Sequence, residues 1–269
     1  MLNVAVIGAA GRMGRRLVAN IAERENMKLA AAIEYSQSPF LGQDAGVVAG
    51  IQPLNVAITS DFAAAAKEVK IDAIINFATS GVLESAKICA ASGIAMVIGA
   101  TALPPEEKAE LQELGRNGAK IVLSGNMSVG VNLLFKLAYE AAKILNEQYD
   151  VEIIEMHHNQ KIDAPSGTAL RLGEVICEAR DWAYDEVVRH GREGKTGKRP
   201  AVEIGMHSLR GGDVVGDHTV VFATGGERVE LTHKASSRDT FVKGALLAVE
   251  FLADAAPGMY DMQDVLNLK

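Results

Sequence analysis

With 269 residues, of which 48% are hydrophobic and 23% charged, the chain has the make-up of an ordinary globular protein long enough for two domains. Its 27 Lys and Arg against 34 Asp and Glu leave a net charge of −7, which argues against a broad basic surface for nucleic acid or anionic membrane. A local anion pocket survives that balance. Strands are expected at residues 4–8, 28–33, 72–77, 95–98 and 120–123, with helices between them such as 11–24 and 104–116. Residues 42–50 read as a Gly-rich loop. Parallel strands need helical crossovers, so this alternation predicts an α/β fold, a doubly wound parallel sheet with helices on both faces.

The pattern changes after Asn126. A helix over residues 131–146 leads into the β-branched run VEIIEM, and another helix follows over 168–180. The stretch GREGKTGKRP reads as a mobile surface loop. Beyond it, residues 202–209, 219–223 and 229–233 read as strands joined by the turns RGGD and TGGE. Clustered strands predict a second, smaller α/β domain with a mixed or antiparallel sheet. A last helix, residues 241–253, has to cover a sheet, so the chain is expected to return to the first domain. The expected division is residues 1–127 with 239–269 as one domain and 128–238 as the other. Cys89 and Cys177 each fall in a predicted helix and read as buried free thiols, which fits a reducing compartment. Neither an export signal nor an apolar run near the roughly 18 residues of a membrane span is visible, so a cytoplasmic protein is expected.

VAVIGAAGRMG places Gly8, Gly11 and Gly14 between the first strand and the first helix, a variant of the dinucleotide fingerprint. Gly8 allows the tight turn, Gly11 the approach of a pyrophosphate, and Gly14 close helix–sheet packing. The helix N-terminus offers N–H groups to the phosphates, and Arg12 adds a point charge. Glu34 stands twenty residues after Gly14, where a carboxylate can accept from the ribose hydroxyls. The bland alternative is a packing turn without a ligand.

The segment EIIEMHHNQKIDAPSGTA holds most of the chemistry. His157 and His158 end a strand, Lys161 follows on a loop, and Pro165-Ser166-Gly167-Thr168 leads into a helix. Gly167 admits close backbone approach, and Ser166 and Thr168 supply hydroxyls at a helix start, which makes an anion cradle. Neighbouring cations suggest a dianionic or carboxylate-bearing substrate. His exchanges protons near neutral pH, and Lys stabilises developing negative charge. A His pair alone is more often a metal site or structural. With no Cys, Asp or third His at zinc spacing, no metal is expected. His190, His207, His218 and His233 read as structural or surface residues, Trp182 as packing, and Asp163 equally as a loop-fixing acceptor or a catalytic group.

This segment resembles the signature of the 4-hydroxy-tetrahydrodipicolinate reductases, formerly dihydrodipicolinate reductases, nearly residue for residue. The resemblance extends over GAAGRMG, VIGAT, NMSVGVN and HKASSR. It implies a Rossmann-like domain, a smaller α/β domain, a homotetramer, a dicarboxylate substrate, and hydride transfer from NADH or NADPH with loss of water. His157 matches the family's proton donor and Lys161 its partner. His158, Lys161, Ser166, Gly167, Thr168 and Arg238 match substrate positions. Gly8, Ala9, Ala10, Gly11, Arg12, Met13, Glu34, Gly99, Ala100, Thr101, Ser124, Gly125, Asn126 and Met127 match cofactor contacts. The chain departs from the pattern at Tyr35 and Ser80, where relatives often carry Arg, and at Ala100, commonly Thr. These bear on cofactor choice, not on the reaction. Two other readings compete. An aspartate-semialdehyde-type oxidoreductase needs a nucleophilic Cys at a strand end, and a dinucleotide-sensing scaffold has no use for His157 and Lys161 together.

Overall fold

Strands such as AIIN and AMVI are buried at every position, so both faces of their sheet need cover. A computed structural model describes residues 1–78, 80–100 and 103–269. It falls into two units, Met1–Ser128 with Asp239–Lys269, and Val129–Arg238. The first begins β1 (Leu2–Ile7), α1 (Arg12–Ala22), β2 (Met27–Ile33), α2 (Ala45–Ala49), β3 (Ile58–Thr59) and α3 (Phe62–Glu68). It continues with β4 (Ala73–Asn76), α4 (Val82–Ser92), β5 (Ala95–Ile98), α5 (Pro105–Arg116) and β6 (Lys120–Leu123). The second unit contains α6 (Val129–Leu145), β7 (Asp150–His157), α7 (Gly167–Arg180), α8 (Tyr184–Val187), β8 (Val188–His190), β9 (Ile204–Arg210), β10 (Gly216–Thr224) and β11 (Glu227–Ala235). The chain then returns through α9 (Asp239–Asp254), β12 (Gly258–Tyr260) and α10 (Met262–Val265).

The first unit is a parallel seven-stranded sheet in the order β12-β6-β5-β4-β1-β2-β3. From β1 the chain winds outward to β3, then crosses to β4 on the other side. The order reverses between β1 and β4, where open α/β sheets bind ligands beyond the strand C-termini. One face packs Leu17, Val18 and Ile21 of α1 with Val242, Leu246 and Val249 of α9. The other packs Phe62, Val82, Cys89 and Leu111 from α3, α4 and α5. At Gly244 of α9 an added Cβ would lie 1.7 Å from the Met127 carbonyl oxygen. Gly244→Ala is therefore expected to cost about 1–3 kcal/mol by overpacking. The urea midpoint reads it, with an unchanged slope.

The expected Gly-rich loop at 42–50 contains a helix, α2, because Asp44 caps it. Its Oδ1 accepts from the N–H of Gly46, Val47 and Leu54, and its Oδ2 from Val56. Two of those partners lie ten or more residues away, so the cap also pins the returning chain.

The second unit is a mixed sheet in the order β11-β10-β7-β9-β8. β7 runs parallel to β9 and antiparallel to β10. Along β7, Val151, Ile153, Glu155 and His157 are buried while Glu152, Ile154 and Met156 alternate with them. α6 and α7 cover the buried face through Leu134, Phe135, Leu172 and Ile176. The loop expected to be mobile is instead tied to the opposite face. Arg192 donates to both oxygens of Glu152, and Arg199 donates to Glu152, Asp150 and the Val151 carbonyl.

Candidate active site

At the end of β1, Gly8 takes φ +75°, a left-handed conformation that favours glycine. A Cβ on Gly14 would stand 2.0 Å from the Gly8 carbonyl oxygen, so only glycine lets α1 sit against the turn. The turn is hung on β2. Gly8 and Ala9 donate to the Ile33 carbonyl at 2.8 and 3.1 Å, and Ala10 donates to Glu34 Oε1 at 2.8 Å. Gly11 caps α1 without a side-chain hydrogen bond, and no acid stands in its first turn. Arg12 and Arg15 stand there instead. Cations at the positive end of a helix are unfavourable unless an anion joins them, so these residues fit a dinucleotide pyrophosphate. Arg15 is partly held, with Nε donating to the Ala10 carbonyl and its guanidinium over the Phe40 ring.

Gly99 and Ala100 follow β5, and Ser124, Gly125, Asn126 and Met127 follow β6, both at strand C-termini. Gly99 is required by its neighbour, since a Cβ would meet the Phe77 ring at 2.4 Å. Ala9, Ala10, Ala100 and Met127 are buried, so they can offer a ligand little beyond backbone. Thr101 lies outside the described residues.

The second unit gathers His157, His158, Lys161, Ser166, Gly167 and Thr168 at the end of β7 and the start of α7. His157 is 9% exposed. Its Nδ1 lies 2.6 Å from Glu155 Oε2. Burial alone would raise the Glu155 carboxyl, but hydrogen bonds from His157, Arg210 and Ser208 hold it down to about 2. An ionised carboxylate only accepts, so Nδ1 carries the hydrogen and Nε2 is left to exchange a proton. A Cβ on Gly216 would come within 3.0 Å of Nε2, so glycine keeps that nitrogen uncrowded. Lys161 Nζ pairs with Asp163 Oδ1 at 2.8 Å, so Asp163 accepts from Lys161 within the loop.

Ser166 departs from the expected cradle. It is buried, its hydroxyl accepts from Ala169 N–H and bonds His218 Nε2, and its own N–H donates to Glu155 Oε1. Its side chain therefore faces inward, because N-capping α7 turns it onto the helix. Gly167 is exposed at the first helical position. Arg238 is half-buried, three residues beyond β11, whose Ala235 pairs with Gly216. Sequence reading missed Glu155 and Arg210; His218, read as structural or surface, is buried and bonds the Ser166 hydroxyl. His218 packs edge-on to His157, with ring centroids 5.1 Å apart. Among the described residues no group of three or more His, Cys, Asp or Glu is placed to hold a metal ion.

His218 gives a prediction. Burial, then the neighbouring His157 charge, pushes its imidazole from 6.5 down to about 3. Below pH 6.5 the unfolded chain gains a proton that the folded chain refuses. Stability therefore falls with pH from 6.5 toward 3, at up to about 1.4 kcal/mol per pH unit. Glu155 adds to this loss only below its ordinary value of 4.5. His218→Gln is expected to flatten the slope between pH 6.5 and 4.5, measured by urea unfolding at several pH values. The half-buried His233, also held low, leaves a residual slope. An unchanged slope would mean that His218 protonates in the folded protein.

Comparison with known proteins agrees with this arrangement. Family models described as dihydrodipicolinate reductase N-terminus and C-terminus match residues 2–127 and 130–266. A 4-hydroxy-tetrahydrodipicolinate reductase from Syntrophotalea carbinolica is 50% identical over 270 residues, covering 100% of both chains. One from Nitrosomonas europaea is 52% identical over 272 residues, covering 100% of this chain and 99% of the other. Among solved structures, a dipicolinate-bound dihydrodipicolinate reductase from Paenisporosarcina sp. TG-14 superposes with a TM-score of 0.76. It is 26% identical, and the match covers 98% of each chain. An amine dehydrogenase from Mycobacterium smegmatis, at 16% identity and TM-score 0.57 over 96% of this chain and 94% of its own, shares the fold alone. A dinucleotide turn in one unit, an acid-held histidine in the other, and matches along nearly the whole chain place it in the dihydrodipicolinate reductase family of NAD(P)H-dependent oxidoreductases.

Proposed function

We propose that the enzyme reduces 4-hydroxy-tetrahydrodipicolinate to tetrahydrodipicolinate with NADH or NADPH, in lysine and diaminopimelate biosynthesis. The observation that carries this reading is the buried His157, with Nδ1 tied to an ionised carboxylate and Nε2 over Gly216. The dipicolinate held by the Paenisporosarcina structure is a ring dicarboxylate of the same class as the proposed substrate. The reaction takes in one hydride and one proton and releases one water. The reduced nicotinamide supplies the hydride. His157 Nε2 donates the proton to the substrate ring, and Lys161 stabilises negative charge as it develops. His158, Gly167, Thr168 and Arg238 bind the carboxylates, Gly167 through the N–H at the start of α7. Ser166 supports this cradle from beneath. Residues 8–13, Glu34, Gly99–Thr101 and Ser124–Met127 hold the dinucleotide, so residues 1–127 with 239–269 form its domain and 128–238 the substrate domain.

The test mixes the protein with reduced cofactor and the cyclic product of pyruvate and aspartate semialdehyde. Cofactor oxidation is expected only when that product is present. Oxidation with aspartate semialdehyde alone, or none with either, would overturn the reading.

We place the enzyme in the cytoplasm as a homotetramer. Burial pushes the Cys89 and Cys177 thiols up to about 12 and 11, leaving them inert, and no helix among the described residues is long and apolar enough to cross a membrane. β11 is a nine-residue edge strand, and Ile154 and Leu209 lie exposed on the sheet face turned from α6 and α7. Open edges and apolar sheet faces favour association. Light scattering at micromolar concentration is expected to give four times the 28.5 kDa chain mass; a monomeric mass would refute the assembly.

A further inference from the structure

We propose that Glu155, clamped by Arg210, is the positioning residue that fixes the His157 tautomer and sets the pH at which its Nε2 gives up a proton. This rests on the reading of His157 as the proton donor.

Glu155 is wholly buried on the strand face that it shares with Val151, Ile153 and His157. A lone carboxylate there would be strongly unfavourable. Four N–H groups surround it. His157 Nδ1 lies 2.6 Å and Arg210 Nη1 2.9 Å from Oε2, while Arg210 Nη2 at 2.9 Å and Ser166 N at 3.2 Å reach Oε1. The two-pronged Arg210 contact leaves the carboxylate little freedom to rotate. The same guanidinium donates to the Asp163 carbonyl at 2.6 Å, on the loop whose Asp163 side chain holds Lys161. One arginine thus ties the strand carrying the proton donor to the loop carrying its partner. A hydrogen bond from Nδ1 to an ionised acceptor fixes which nitrogen is free, much as a carboxylate orients the histidine of a hydrolase triad.

The charges around His157 oppose one another in a way that makes the inference testable. From β7, Glu155 stabilises the imidazolium. From β9, Arg210 opposes it and offsets part of the Glu155 charge. From β10, His218 stands edge-on and is neutral at working pH, since burial pushes it to about 3, and His233 of β11 pairs across from it. From the loop, Lys161 and Asp163 largely cancel through their own ion pair. Removing Glu155 and removing Arg210 should therefore move the His157 titration in opposite directions. A purely structural role cannot do that.

The experiment follows the pH dependence of kcat and, without cofactor, the His157 ring titration by NMR in the wild type, Glu155→Gln, Glu155→Asp and Arg210→Gln. In Glu155→Gln the alkaline fall in kcat is expected to begin about one pH unit or more earlier, with kcat near neutrality lowered about tenfold. In Arg210→Gln it is expected to shift to higher pH. Glu155→Asp keeps the anion and should return the titration toward wild type, and with Arg210→Gln it decides the matter if Glu155→Gln does not fold. A Glu155→Gln protein that unfolds cooperatively yet keeps the wild-type limb and ring titration would overturn the inference, as would shifts of the same sign in both variants. His157→Gln separates the two readings. If it keeps full kcat, the proton-donor reading fails; if it is inactive while Glu155→Gln leaves the limb in place, only the positioning role fails.

Discussion

His157→Gln is expected to lower kcat by about 10²-fold or more, while dinucleotide affinity stays within a few-fold of wild type. Loss of a positioned general acid typically costs that much, because solvent must then supply the proton without orientation. Glutamine is the informative replacement. Its amide N–H can still donate toward Glu155, so the buried carboxylate is not stranded, while no titratable nitrogen remains over Gly216. Alanine would confound catalysis with the cost of an unpaired buried charge. Lys161→Gln should also lower kcat, without shifting the His157 limb greatly, because Lys161 shares its charge with Asp163 at 2.8 Å. Steady-state kinetics give kcat, and titration of cofactor fluorescence gives the dinucleotide dissociation constant. An unchanged kcat in His157→Gln would sink the assignment.

What sequence could and could not reveal about this site follows from how far apart the interacting residues lie. The glycine turn was legible because all its parts lie within seven residues, and each glycine has a local reason: φ +75° at Gly8, and at Gly14 a Cβ that would lie 2.0 Å from a carbonyl oxygen. Glu155 left a local signal that was passed over. Residues two apart on a strand share a face, so Glu155 had to point with Val151, Ile153 and His157 into the core. A charged residue there demands partners. Arg210 left no such signal, for its place opposite His157 depends on the β7–β9 register at a separation of 53 positions, 157 to 210. Ser166 was misassigned because a hydroxyl beside a glycine fits either an anion cradle or a helix cap. Only His218, from a distant strand, decides for the inward orientation. The helix within residues 42–50 was hidden for the same reason, since the Asp44 cap gains its hold from Leu54 and Val56.

Glu34→Ala is expected to weaken NADH binding about 10²-fold and to leave NADPH binding far less affected. We propose that Glu34 has two tasks. It accepts from the adenine-ribose hydroxyls of NADH, as an acid at this strand end can, and it braces the pyrophosphate turn by accepting the Ala10 N–H at 2.8 Å. Removing the carboxylate strands a buried N–H, at about 1–3 kcal/mol, and loses hydrogen bonds to a charged group worth about 1.5–3 kcal/mol. Even the lower ends of those ranges come to about 2.5 kcal/mol, nearly two orders of magnitude in affinity. NADPH loses the brace too, but it gains relief. An anionic carboxylate beside a 2′-phosphate costs about 1–2 kcal/mol after screening, and the substitution removes that repulsion. Tyr35, 62% exposed, offers no cation to the phosphate, and Arg15 is engaged with Ala10 and Phe40. The parent enzyme is therefore expected to use NADH at least as well as NADPH. Tyr35→Arg should raise kcat/KM for NADPH about tenfold without disturbing the turn. Dissociation constants for both cofactors, measured without substrate, separate the two tasks. Equal losses for NADH and NADPH in Glu34→Ala would leave Glu34 a brace alone, and a parent that favours NADPH tenfold would remove the basis for the preference.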